Sequence, residues 1–307
     1  MSQTMLQLVQ QVTAELNLAV PTYVAGNTSQ DVQQVLALMN ATGYELVKEY
    51  DWQALQVEYR FYTDAVTFVG DTISNQSYNI IVTGNATALN NTYSITGTGV
   101  NQDTYVESVT YDSGLNKSTI VMSQLASGTY TNVTFTFSKT KYDMPPDYET
   151  IADTTQWDKT KRWQMLGPED AQQWQWLKSG YISTGPRIRW RILGGEFQIW
   201  PPYNTQEYLG FEYRSKGWAR SVTGQVKNSF TADDDTTVYD DRLVVVGTKL
   251  RYFQIKSFDT TALQQEYFRI LNTVKANDKG SPNLSFAPYP TKVLIGYANI
   301  PDTGYGT

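Results

Sequence analysis

The sequence has 307 residues and contains neither histidine nor cysteine. Without histidine there is no Ser-His-Asp triad, and without both types there is no Cys-His dyad. Cysteine- and histidine-ligated zinc, haem and iron–sulfur centres are excluded on the same ground. Disulfides are excluded as well, so packing alone must hold the fold. Charge is also sparse: charged residues make up 18%, against about 25% in an average globular chain. The net charge of −6 gives no basic footprint for nucleic acid. No apolar run approaches the roughly 18 residues a membrane span requires. The N-terminus, MSQTMLQLVQQ, has no positive charge ahead of an apolar core, so no signal peptide is expected. What remains is carboxylate, lysine or tyrosine chemistry, oxygen-ligand metals, or no chemistry at all.

Hydrophobic periodicity places the helices. Met5, Val9, Val12 and Leu16 recur at helical spacing over residues 4–17. A longer helix is expected over 29–51 on Val32, Val35, Leu36, Met39, Gly43, Leu46, Val47 and Tyr50, with Thr28 and Asp31 matching a capping box. Residues 52–63 shift to a period near two and read as a strand. From 65 to 138 the text turns rich in Thr, Ser, Asn, Gly and Val, with short β-like runs between turn signals. That pattern predicts an all-β insert of sandwich type.

Pro168–Ser179 reads as a short helix. Ile188–Ile192 and Phe197–Trp200 read as a hairpin about Gly194-Gly195. Asp240–Phe258 reads as a helix, with Val244-Val245-Val246 leaving a strand open. Asp259 or Thr260 caps a final helix. The expected fold class is α+β: a helical bundle of two N-terminal and two C-terminal helices, a β-sheet portion and the inserted all-β module. The expected organisation is a core of 1–63 plus 141–281, an insert at 64–140 and an extended C-terminal arm at 282–307.

Three groups stand out as candidate interfaces with a subunit or partner. Arg187, Arg189 and Arg191 alternate along one strand and so share a face, opposite Ile188, Trp190 and Ile192. They are a solvated face, a contact to a neighbouring subunit's carboxylates, or a contact to DNA phosphate. Asp233, Asp234 and Asp235 are three adjacent carboxylates, too close in sequence to converge on one ion. They read as a solvated turn, or as the electrostatic partner of the arginine row across a subunit interface. The arm carries Phe286, Tyr289, Leu294 and Tyr297 but only Lys292 and Asp302 as charges. Disordered tails have the opposite composition, so this arm is expected to order against a partner or its own domain. Most tryptophans are expected in the core or at interfaces. No catalytic constellation, metal site or cofactor site emerges, and an enzyme is not expected.

Several long stretches resemble the head-to-tail adaptor, or connector, proteins of short-tailed bacteriophages. They include GNTSQDVQQVLALMNATGYELVKEYDWQAL, WDKTKRWQMLGPEDAQQWQWLKSG, GPRIRWRILGGEFQIWPP and FTADDDTTVYDDRLVVVGTKLRYFQIKSFDTTALQQEY. Together they fall within residues 1–63 and 141–288, leaving out 65–138 and the tail from Tyr289. The resemblance implies a virion structural protein of the neck and tail, assembled in the host cytoplasm. It implies a ring of identical subunits, typically dodecameric, between the portal protein and the tail nozzle. DNA would pass through the channel without specific binding. The β insert would be free to meet a tail fibre or spike. The alternative from composition is a host-surface or carbohydrate-binding module carried by that insert.

Overall fold

The computed structural model describes residues 2–73, 77–179 and 188–279. Helix α1 (Met5–Glu15) opens with a capping box. Thr4 Oγ1 accepts from the Gln7 amide, while Gln7 Oε1 accepts from the Thr4 amide at 3.0 Å. Two of the four orphan donors at the helix start are satisfied this way. Asn17, at φ 55°, turns the chain out of the helix. Helix α2 (Gln30–Glu49) follows. The capping box expected from Thr28 and Asp31 does not form. Ser29 occupies the N-cap without a side-chain bond, and Asn27 Oδ1 accepts from the Ser29 amide at 2.8 Å instead. A single 3-10 turn (Gln53–Leu55) leads into β1 (Gln56–Tyr62).

The insert is a closed barrel. Its strands are β2 (Ala65–Thr72), β3 (Asn79–Thr83), β4 (Tyr93–Thr96), β5 (Thr104–Asp112), β6 (Lys117–Met122) and β7 (Val133–Lys139). They pair in the order β2-β3-β6-β5-β4-β7, and β2 returns to pair with β7. Alternation points Ile80, Val82, Ile120, Met122, Phe135 and Phe137 inward. The expected sandwich is therefore corrected. Short alternating strands serve either architecture, but bonding β2 on both edges abolishes the free edges a sandwich keeps. The two ends of the insert meet: the Lys139 amide donates to the Asp64 carbonyl at 2.8 Å.

Beyond the barrel come β8 (Lys141–Asp143), β9 (Tyr148–Ile151), β10 (Trp157–Asp158), β11 (Trp163–Gln164), α3 (Ala171–Lys178), β12 (Arg189–Leu193), β13 (Glu196–Trp200) and β14 (Tyr208–Ser215). One sheet runs β1-β14-β10-β11, with β9 also on β14; another runs β12-β13-β8. The β12–β13 hairpin turns on Gly194 and Gly195, at φ 64° and 83°. Both central residues of that turn need positive φ, which glycine adopts without steric cost. The two sheets share an aromatic core, where Phe197 stacks on Trp190 at 5.5 Å and on Phe211 at 4.9 Å.

The chain closes with β15 (Ala219–Arg220), β16 (Val226–Lys227), β17 (Thr236–Thr237), α4 (Asp241–Ile255) and α5 (Thr261–Lys279). The Val244-Val245-Val246 run lies inside α4, whose start is capped by Asp240 Oδ1 accepting from the Leu243 amide. The expected fold class is corrected here. The described residues are β-rich, with several sheets and five α-helices; helices at the two ends of the chain do not make it a helical bundle. The physical reason lies in the core. Buried residues of α1, α2 and α4 (Met5, Val9, Val35, Met39, Val244) share one cluster with Trp218, Ala219, Phe230 and Tyr239 from the strand region before α4. The helical faces are completed by β-region side chains and not by each other alone.

Candidate interfaces and a cleft beside the barrel

The hairpin places the arginine row. Trp190 and Ile188 are buried and Ile192 packs on the same core, so the alternation holds. Arg189 donates from Nη1 to Glu169 Oε1 at 2.8 Å, and the Glu169 side chain is only 7% exposed. Arg189 is thus committed within its own chain. Arg191 sits opposite Gln198 in the ladder, half-buried, and no ion pair holds it among the described residues. Arg187 lies outside the described residues, as do Phe286, Tyr289, Leu294 and Tyr297 of the arm.

The triple aspartate is not simply a solvated turn, and within the chain no ion pair among the described residues joins it to Arg189 or Arg191. Asp235 is 1% exposed. Its carboxylate receives Lys227 Nζ at 2.7 and 3.0 Å and the amides of Thr231 and Ala232 at 2.8 and 2.9 Å. Burial works to raise its pKa, but the Lys227 ammonium and the two amides outweigh it and hold the pKa below the usual aspartate value. Asp233 Oδ1 accepts from the Val24 and Ala25 amides at 3.0 and 2.7 Å, and the Asp233 carbonyl accepts from the Leu6 amide. The Asp233 carboxylate thus ties the segment before α4 to the loop between α1 and α2, whereas the Asp235 carboxylate braces its own loop and the Asp235 carbonyl accepts from the Met5 amide at 2.6 Å. Asp234 alone faces solvent. The Asp233 role was not legible because the amides it serves lie more than 200 positions away.

Of the tryptophans, Trp174, Trp190, Trp200 and Trp218 are buried, whereas Trp163 and Trp176 are exposed. Trp163 borders a cleft of about 570 Å³ between the barrel and the sheet containing β10 and β11. One wall is the β4 end and the following loop, with Thr96, Asn101, Gln102 and Asp103; the other includes Asp158, Lys161, Gln164, Trp200, Tyr203 and Asn204. The floor is cross-braced. Tyr203 donates to Asp158 Oδ2 at 2.5 Å, and the Lys161 amide donates to Asp158 Oδ1 at 2.8 Å. Burial first, and Asp158 second, push the Tyr203 phenol far above the ordinary tyrosine pKa. Lys161 Nζ stands 3.3 Å from Glu207 and 4.7 Å from the centre of the Tyr203 ring. Lys178 of α3 reaches Asp103 at 2.9 Å, with the rings of Tyr105 and Trp200 beneath it.

Among the described residues no three acidic side chains stand together as a metal ion would require, and no helix is long and apolar enough to cross a membrane. The helical end of the molecule carries a different kind of surface. Ile255 and Phe258, where α4 ends, and Phe268 on α5 are all more than half exposed. No protein-family model matches the chain, and no curated protein is significantly similar to it.

Proposed function

We propose that the chain is a structural protein of a short-tailed bacteriophage virion. Copies of it close into a ring, typically of twelve, between portal and tail nozzle, extending the DNA channel and docking the tail. The observation that carries this reading is the apolar surface of Ile255, Phe258 and Phe268. A head-to-tail ring needs apolar surface that a second copy covers, and in closure by heterologous contacts every copy presents that surface to a different, complementary surface of its neighbour. The long stretches that resemble adaptor proteins support the same reading, and α4, with the turn to α5, lies inside one of them. The net charge of −6 suits a conduit through which DNA slides without being held. The portal, the nozzle and, through the barrel, a tail fibre or spike are the partners this role entails.

The test is light scattering of the purified protein with and without its portal, followed by class-averaged micrographs of the virion neck. A ring of this chain beneath the portal is the expected result. Phe258→Glu combined with Phe268→Glu is expected to leave a folded monomer that no longer closes. A neck whose ring density belongs to another chain, or a double variant that assembles like the parent, overturns the proposal.

A further inference from the structure

We infer that the cleft between the barrel and the β10–β11 sheet binds a neutral saccharide, with Trp163 as its stacking platform. The inference does not depend on the adaptor reading. The cleft's volume of about 570 Å³ lies within the range of about 300–1,000 Å³ usual for small-ligand sites.

Charge narrows the ligand. Asp103 is neutralised by Lys178, and Lys161 by Glu207. Asp158 is buried and takes its hydrogen bonds from Tyr203 and the Lys161 amide. Among the described residues the cleft therefore offers no cation without an acidic partner for a phosphate or carboxylate, and no carboxylate without a donor partner for an amine. What it does offer is uncharged: Gln102 and Asn204 line its walls, as does Asn101, whose amide already donates to the Leu125 carbonyl at 2.8 Å. Amides both donate and accept, as paired sugar hydroxyls require.

Two indoles complete the match. Trp163 is 43% exposed although it belongs to a paired strand and borders the cleft. An indole face left open at a cleft mouth suits the apolar C–H face of a pyranose, which buries area without needing charge. Trp200 also lines the cleft and is 2% exposed, so it stands as an apolar wall behind that platform.

The experiment is saturation-transfer NMR and calorimetry on the full chain with three neutral hexasaccharides: maltohexaose, isomaltohexaose and chitohexaose. At least one is expected to bind with a dissociation constant below about 10 mM. Trp163→Ala is expected to weaken that binding at least tenfold. The thermal midpoint should stay put, because the ring is half in solvent. Trp176→Ala, on α3 and away from the cleft lining, is expected to leave binding unchanged. Absence of binding by all three sugars overturns the inference. So does binding that survives Trp163→Ala, or a preference for dextran sulfate over dextran that fades with salt.

Discussion

Gly43 of α2 lies against the face of Trp218 so closely that a β-carbon on it would sit 2.3 Å from the indole Cε2. Trp218 cannot retreat. It is fully buried, with Phe230 edge-on at 4.7 Å and Tyr239 stacked at 6.3 Å. In the sequence Gly43 is one more member of an apolar helical stripe. In the fold it is the notch that lets the strand region before α4 press onto α2.

Gly43→Ala should therefore destabilise the protein although alanine is the better helix former. Overpacking costs about 1–3 kcal/mol, and the propensity gain returns at most about 1 kcal/mol. Urea denaturation at neutral pH measures the net loss. In a Trp218→Leu background the same change should cost less, since the two residues couple through direct contact.

Asp235 and Lys227 form the second tie. Removing the carboxylate in Asp235→Ala strands the Lys227 ammonium and two amides, for an expected loss of about 1–3 kcal/mol. The acid response has a definite sign. The folded pKa of Asp235 is lowered, so its contribution is complete above the unfolded value of about 3.9 and fades as pH falls toward the folded one. Denaturation midpoints compared between pH 7 and pH 3 should drop less in Asp235→Ala than in the parent.

Tyrosine dominates the alkaline side. Burial raises the pKa of Tyr93, Tyr142, Tyr203, Tyr213 and Tyr239. Above about pH 10 the unfolded chain releases these protons while the folded chain retains them, so stability must fall as pH rises. Tyr239 isolates the effect, because its hydroxyl is buried with no hydrogen-bond partner among the described residues. Tyr239→Phe is expected to leave stability at pH 7 equal or higher by about 1 kcal/mol and to shallow the decline above pH 10. A clear loss at pH 7 would show instead that the hydroxyl is hydrogen-bonded in the folded state.

The barrel should fold alone. Its core of Ile80, Val82, Ile120, Phe135 and their neighbours is separate from the aromatic core beneath it, and its ends are joined by the Lys139–Asp64 hydrogen bond. Residues 64–140 expressed by themselves are expected to unfold cooperatively, with far-UV circular dichroism of antiparallel sheet. A chain in which Thr63 is joined to Lys141 through a short glycine linker is expected to keep the remaining fold. Insertion at such a junction disturbs few buried contacts.

Much of the local structure was legible in the sequence. The stripes of α1 and α2, the Gly194-Gly195 hairpin and the helix after Asp240 follow from spacing and turn chemistry, which act over a few residues. The capping box was harder. Thr28 and Asp31 match its spacing without forming it, while Thr4 and Gln7 form it at a helix only four residues from the chain start. A capping pair also needs the right backbone angle at the N-cap, and spacing alone does not carry that. The interface candidates were less legible still. Arg189 and Asp235, each exposed-looking in a polar text, are engaged by Glu169 and Lys227.

By itself the sequence determined which chemistries are closed to this protein, because a histidine base or a cysteine ligand cannot be supplied by folding. It also placed the helices and turns to within a few residues, α3 beginning at Ala171 where Pro168 was expected, since those depend on neighbours within a turn or two. The tertiary structure alone decided that the insert closes as a barrel, that the helical faces are completed by Trp218 and Tyr239, and that Trp163 stands open beside a neutral cleft. Each of those depends on which distant segment arrives opposite. A period of two or of 3.6 specifies that a face must be covered, and leaves the covering residues to the long-range fold.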